Sequence, residues 1–323
     1  MGLGRLALER LTVRLGAIFP GQGSQAVGMG GALVERYDVA RDLFARAARL
    51  LEYDLLAILR DGPDEKLRET RYSQPAIFVL NYALARAAGD DLPVVASAGH
   101  SFSEFCSLTL AGALDFEDAL ALVHERGLAM HEAANAAPGA MVAVLGLPES
   151  DVRAAVGEAR AAGRVRLANF NAPTQIVISG DRAAVDRAAS LTAGAGAKRV
   201  VPLNVAGAWH SELMEAARER FAPFVAGAAL RLPRFPVVSN VDGEVYRDVA
   251  HIRRNLTRSV TDEVRWHDAA LRLLEERLDL VVEFGGSAVL APLWKRLPDA
   301  VPASHVGDER GVEGLRAKLA GAA

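Results

Sequence analysis

The chain has 323 residues, 51% of them apolar, a formal net charge of −3 and a single cysteine, Cys106. That is enough apolar side chain for one large or two modest domains with a true core. The near-balanced charge, with no basic run or aromatic-studded basic stripe, argues against nucleic acid as a partner. One cysteine excludes an internal disulfide framework and a cysteine-based metal site. No stretch of about 18 apolar residues free of charge is present to span a membrane. The predicted setting is the cytoplasm.

Met1 to Leu11, broken by Arg5, Glu9 and Arg10, lacks the apolar core of a signal peptide and reads as a frayed leader or short helix. Val13 to Phe19 reads as an apolar strand feeding the glycine-rich loop Pro20-Gly21-Gln22-Gly23-Ser24-Gln25. Helical spacing follows at Val34–Leu51 and at Pro75–Ala88, where the proline suits a first helical turn. Leu92–Ala98 reads as a buried strand that turns within about three residues into a helix from Glu104 to about Leu110. A break at Gly112 precedes a long helix from Phe116 toward Ala133. Strands alternating with helices predict an α/β fold with a parallel sheet covered on both faces.

From Met141 the rhythm changes. Met141–Leu147, Val165–Asn171, Thr174–Gly180 and Lys198–Val205 read as strands, with helices at Ser150–Ala162 and Arg182–Ala193. This β-α-β-β-α-β order is that of a ferredoxin-like unit. We expect residues 137–205 to form a small inserted domain and residues 1–136 and 206–323 the larger one. The larger fold resumes with a helix at Glu212–Leu230, a strand at Val237–Val241, a helix at Thr261–Glu276 and a strand at Leu278–Phe284. A last main helix starting at Gly285-Gly286-Ser287 is expected to kink at Pro292.

The chemistry centres on Gly99-His100-Ser101-Phe102-Ser103. A tight strand-to-helix turn projects its central hydroxyl from the sheet and aims the first free helix N–H groups at whatever reacts there. The usual pattern is G-x-S-x-G; here Ser103 replaces the last glycine, and a serine at this place can equally be a helix cap. A nucleophilic serine needs a base. Of seven histidines, His124 and His131 share one helix and read as packing residues, with no third metal ligand evident. His100 is expected to point to the opposite side of the chain from its neighbour Ser101. His251, His267 and His305 read as structural or solvated. His210 lies in the small-residue loop Val205-Ala206-Gly207-Ala208-Trp209-His210-Ser211, which could reach the turn. Arg126 is either a solvated helix residue or a fixed fork for a carboxylate. Gln22, between two glycines, is a turn residue or a backbone donor brought close to a ligand.

The run Phe19-Pro20-Gly21-Gln22-Gly23-Ser24-Gln25-Ala26-Val27-Gly28-Met29 closely resembles the opening of malonyl-CoA:acyl carrier protein transacylases and of polyketide synthase acyltransferase domains. Tyr72-Ser73-Gln74-Pro75-Ala76, Gly99-His100-Ser101, Glu125-Arg126-Gly127, Gly139-Ala140-Met141, Asn169-Phe170-Asn171-Ala172-Pro173, Trp209-His210-Ser211, Ser239-Asn240-Val241 and Val264-Arg265-Trp266 recur in the family's order. The resemblance covers about residues 13 to 300. It implies an α/β-hydrolase-like larger domain carrying a ferredoxin-like insert. It further implies Ser101 as acyl-accepting nucleophile and His210 as general base, with an oxyanion hole from the N–H groups of Phe102 and Gln22. Arg126 would hold a malonyl-type carboxylate, and Trp209, Ser259 and Asn171 would meet the substrate. No cofactor is implied; CoA or phosphopantetheine thioesters are the substrates, and an acyl carrier protein is the partner, served by an acyl-CoA or acyl-carrier donor.

Three residues depart from the family pattern: Ser103, Trp209 where phenylalanine is usual, and Ser259 where many malonyl enzymes have glutamine. Together they predict an altered acyl pocket. The glycine-proline-glycine-lysine pattern is also missing at Glu283–Leu290, although Lys295-Arg296 remains. Alternatives are carrier-to-carrier transfer of an aminoacyl or longer group, a hydrolase that clears misloaded carriers, and a carrier-binding module without turnover.

Overall fold

The computed structural model describes residues 13–321, so the expectation for Met1 to Leu11 falls outside the described residues. Two separate sheets organise the chain. The first has five parallel strands in the order β7-β2-β1-β8-β9: β1 (Leu15–Phe19), β2 (Val94–Gly99), β7 (Val237–Val238), β8 (Leu280–Phe284) and β9 (Ala303–Val306). Every residue of β1 and β8 is buried, as strands covered on both faces require. The second is antiparallel, in the order β4-β5-β3-β6: β3 (Ala140–Leu145), β4 (Val165–Ala172), β5 (Gln175–Gly180) and β6 (Arg199–Pro202). This is the ferredoxin-like arrangement that the sequence order predicts. Alternation along β3 sends Val142 and Val144 into a small core with Val152, Val156, Ile176 and Ile178. Met141, Ala143 and Leu145 therefore face the other way.

Several expected elements differ in extent. The helical run Val34–Leu51 is two helices, Gly31–Arg36 and Asp38–Leu51, parted by extended Tyr37. Apolar periodicity continues across that joint without a glycine or proline to mark it. Pro75 does not open its helix, which spans Thr70–Ala88. The Glu69 carbonyl accepts the N–H groups of Tyr72 and Ser73 and forms the first turn upstream. The bond lost at Pro75 is offset by packing on the Phe116–Ala136 helix, so close that a Cβ on Gly127 would lie 2.8 Å from the Thr70 carbonyl oxygen.

Val237–Val241 shortens to two residues because the Asn240 N–H is bonded to Glu104 instead of to a strand. The expected helix at Thr261–Glu276 covers only Trp266–Leu274, after an unanticipated helix at Val249–Arg258 capped by Asp248. The expected helix from Gly285 begins instead at Ala291, and Pro292 sits in its first turn without kinking it. The buried Glu283 carboxylate fixes that start by accepting the N–H groups of Val289, Leu290 and Ala291, each at 2.8 Å. β9 and the helix Glu309–Gly321 follow, and the sequence reading includes neither. Among the described residues no helix is long and apolar enough to cross a membrane.

Candidate active site

β1 and β2 pair in register, Ile18 with Ala98 and Phe19 with Gly99, so the loops after them emerge side by side at the carboxyl edge of the parallel sheet. That edge is where open α/β sheets bind ligands. Two glycines make the approach possible. A Cβ on Gly21 would lie 2.9 Å from the His100 carbonyl oxygen, so the Pro20–Gln25 loop presses on the turn after β2. A Cβ on Gly99 would lie 2.1 Å from the Ser103 carbonyl, which leaves room for no other residue there. Between them Ser101 adopts φ 56°, a left-handed conformation that costs a non-glycine residue roughly 1–2 kcal/mol. A single 3-10 turn at Ser101–Ser103 leads into the helix Glu104–Leu110.

The Ser101 hydroxyl lies 2.9 Å from His210 Nε2. His210, also at positive φ (58°) and buried, is set by its second nitrogen, which lies 2.9 Å from the Asp262 main-chain oxygen. A carbonyl only accepts, so Nδ1 carries the proton and Nε2 is free to take one from Ser101. Burial, reinforced by the charges of Arg126 and His100, holds the imidazole pKa down to about 3. It is therefore unprotonated at neutral pH, with Nε2 open to receive a proton. No acidic side chain completes a triad, since the Asp262 carboxylate is engaged with Arg258 and Thr261.

Both residues expected to offer main-chain N–H groups to an anion stand at a cavity above Ser101. The first N–H in the 3-10 turn to find a carbonyl is that of Ser103, bonded to His100 at 3.2 Å. Phe102 precedes it in the turn, and its N–H lacks a preceding carbonyl partner, as at any helix start. Phe102 and Gln22 both line the cavity above Ser101, and the Gln22 side chain makes only a long 3.4 Å contact to Thr70 Oγ1.

Arg126 is fully buried on the Phe116–Ala136 helix. Nη1 donates to Gln74 Oε1 at 2.9 Å; Nη2 donates to the Ser259 carbonyl at 3.1 Å and reaches Ser101 Oγ at 3.5 Å. Burial pushes its pKa down to about 9, still charged at neutral pH. Gln74 lines the cavity and stands between it and the guanidinium.

The cavity, about 560 Å³, lies between the carboxyl edge of the parallel sheet and the outward face of the antiparallel one. Its apolar wall includes Met141, Ala143, Leu145, Val177 and Leu203, and Trp209 borders it beside the base. The Trp209 ring occupies space that only a glycine at 207 leaves open: a Cβ there would be 2.6 Å from the ring.

Three expectations need correction. His100 does not point away from Ser101. The left-handed turn breaks strand alternation, so both side chains face the cavity, and His100 Nε2 lies 2.9 Å from Asn171 Oδ1, another cavity residue. Ser259 does not line the cavity: its hydroxyl donates to Leu256, and only its carbonyl serves the site, through Arg126. Ser103 does not intrude either, because its hydroxyl donates to the Pro20 carbonyl at 2.7 Å. Of the three departures, only Trp209 touches the pocket. Sequence reasoning also passed over Gln74, Glu104, Asn240 and the Asp262 carbonyl. The first three lie in or beside motifs already noted, whereas a main-chain oxygen carries no residue signature. His124 packs beside Tyr53, and no group of three metal-ligating side chains occurs among the described residues.

Comparison with known proteins agrees with this geometry. Residues 17–301 match the family model described as an acyl transferase domain. The malonyl CoA-acyl carrier protein transacylase of Salmonella typhimurium is 37% identical over 294 residues, 90% of this chain and 95% of that protein. A crystal structure of the transacylase MCAT from Streptococcus pneumoniae superposes with a TM-score of 0.89 at 37% identity, covering 94% of this chain and all of the other. A malonyl-transacylase solved in complex with its type II polyketide synthase acyl-carrier protein gives the same TM-score at 35% identity, covering 94% of this chain and 99% of that one. The Ser101 elbow, its histidine and the two-sheet fold thus belong together, and the chain is a member of the acyl transferase family.

Proposed function

We propose that this protein transfers a malonyl-type acyl group from CoA to the phosphopantetheine thiol of an acyl carrier protein, through an ester on Ser101. The observation that carries the proposal is the placement of two groups about one oxygen: His210 Nε2 at 2.9 Å and Arg126 Nη2 at 3.5 Å from Ser101 Oγ. The first activates the hydroxyl; the second supplies a buried positive charge for an acyl group that ends in a carboxylate.

In the first half-reaction His210 Nε2 takes the Ser101 proton as Oγ attacks the thioester carbonyl. The N–H groups of Phe102 and Gln22 receive the developing oxyanion. As the carbon–sulfur bond breaks, the proton passes from Nε2 to the departing CoA sulfur. In the second, the carrier thiol gives its proton to His210 and attacks the ester, and Ser101 leaves with the proton restored. A carboxylate entering beside Ser101 would replace Gln74 Oε1 at the guanidinium, and Asn171, fixed by His100, would border the thioester arm. The carrier partner is supported by the related transacylase solved with its carrier protein. The cytoplasm, where CoA thioesters are available, is the corresponding setting.

The test is intact-protein mass measurement after incubation with malonyl-, methylmalonyl- and acetyl-CoA. A malonyl adduct on the wild type, absent in Ser101→Ala, is the expected result. No adduct on the wild type rejects CoA-dependent malonyl transfer. Release of free acid faster than loading of a carrier would favour a hydrolase.

A further inference from the structure

We propose that Asn240 is a positioning residue that aims the Phe102 N–H at the reacting carbonyl by holding the other end of the same peptide unit. Asn240 follows β7 and is buried. Its side-chain Nδ2 donates to two carbonyls that flank the nucleophile turn, those of Gly99 and Ser101, both at 3.1 Å. Its own backbone is held at both ends: the N–H donates to Glu104 Oε1 at 2.7 Å, and the carbonyl accepts the Arg265 N–H at 2.7 Å. The amide is thus anchored before it grips the turn.

The Ser101 carbonyl and the Phe102 N–H belong to one trans peptide plane and point in opposite directions. Fixing the oxygen toward Asn240 fixes the hydrogen away from it, and Phe102 stands on the cavity wall. The same bond polarises the peptide and strengthens its N–H as a donor. Ser101 at φ 56° sits in a sparsely populated backbone region that persists only where surrounding contacts hold it. The orientation of the amide is set by its neighbours: reversed, Oδ1 would face two carbonyl oxygens. In the orientation present Oδ1 is buried without a hydrogen-bond partner, a cost accepted at a position that uses both donors.

The inference rests on the reading of Phe102 as an oxyanion donor, and the experiment separates the two. Asn240→Asp keeps the volume and the main-chain bonds but removes both side-chain donors. Single-turnover acylation of Ser101 by malonyl-CoA should fall roughly 10–100-fold, less than the 10²–10³ lost when a donor is deleted outright. A trifluoromethyl ketone analogue of the thioester, which binds as an oxyanion on Ser101, should weaken by a similar factor, whereas the Kd for CoA should stay within about twofold. If Asn240→Asp does not fold, Asn240→Ala and Asn240→Ser carry the same comparison. Equal losses for the analogue and for CoA, or unchanged acylation in a folded variant, would overturn the positioning role. Absence of acyl-Ser101 in the wild type would instead overturn the transferase reading, and this proposal with it.

Discussion

Nη2 of Arg126 stands 3.5 Å from Ser101 Oγ, and among the described residues no carboxylate lies within ion-pair distance of that buried guanidinium. Its neutral partners, Gln74 Oε1 and the Ser259 carbonyl, solvate it without cancelling its charge. Such an arrangement favours an anionic acyl group. Arg126→Ala should lower kcat/KM for malonyl-CoA by roughly 10- to 100-fold, as expected for loss of a charged hydrogen bond. Acetyl-CoA, which has no carboxylate, should change far less. Equal losses with the two substrates would remove Arg126 from its carboxylate role.

The pH dependence of acylation follows from His210. Burial, aided by Arg126 and His100, keeps its pKa near 3, far below the usual histidine value. The base is then unprotonated from pH 5 to 8, and acylation by a pH-stable donor should not decline through about pH 6.5 as an ordinary histidine would dictate. The same shift acts on stability. In the unfolded chain the imidazole takes up a proton first, so the folded state loses stability as the pH falls below about 6.5 toward 3. Urea midpoints of the wild type should drop more between pH 7 and 5 than those of His210→Gln.

Glu104 behaves in the opposite sense. Burial pushes its pKa up to about 8, partly opposed by the Asn240 N–H bonded to Oε1. Its stabilising contribution is complete below the unfolded value of about 4.5 and is lost as the pH rises toward 8. Glu104→Gln retains an acceptor for Asn240 but no ionisable proton. Its Tm relative to the wild type should therefore rise between about pH 5 and 8 and level off above that; a constant difference would show that the acid is not buried as a neutral group.

Ser103 and Ser259 differ from the family pattern yet turn their hydroxyls to the Pro20 and Leu256 carbonyls. Ser103→Gly should cost about 1 kcal/mol of stability through the lost hydrogen bond. Ser259→Ala should cost a similar amount or less. Neither should alter the preference between malonyl-, methylmalonyl- and acetyl-CoA. Trp209→Phe, by contrast, changes a cavity wall and should shift that preference. A changed preference in either serine variant, measured by competition among the three donors, would return them to the acyl pocket.

The elbow is legible in the sequence because its parts are local. An apolar strand, a glycine whose Cβ would strike Ser103 and a helix three residues later leave few other conformations for Gly99–Glu104. The β-α-β-β-α-β rhythm likewise announced the antiparallel sheet, since strand alternation and helix spacing are written in nearby residues. Boundaries were harder where a long-range partner decided them. Pro292 read as a kink until Glu283 supplied the N–H acceptors that start the helix beside it. The Val237–Val241 strand read too long because the Asn240 N–H belongs to Glu104.

Residue order carries the kind of chemistry: a serine on a tight turn, a histidine in a small-residue loop and an arginine on the helix between them. It also determined the two-sheet plan that brings those segments together. Long-range packing sets how they act. It turned His100 toward Asn171, moved Ser259 out of the cavity, chose the Asp262 carbonyl to set the His210 tautomer and placed Asn240 behind the Ser101 peptide. The reason is physical: main-chain carbonyls and N–H groups occur at almost every position, so which of them meets a given side chain depends on the fold and leaves no mark in residue type.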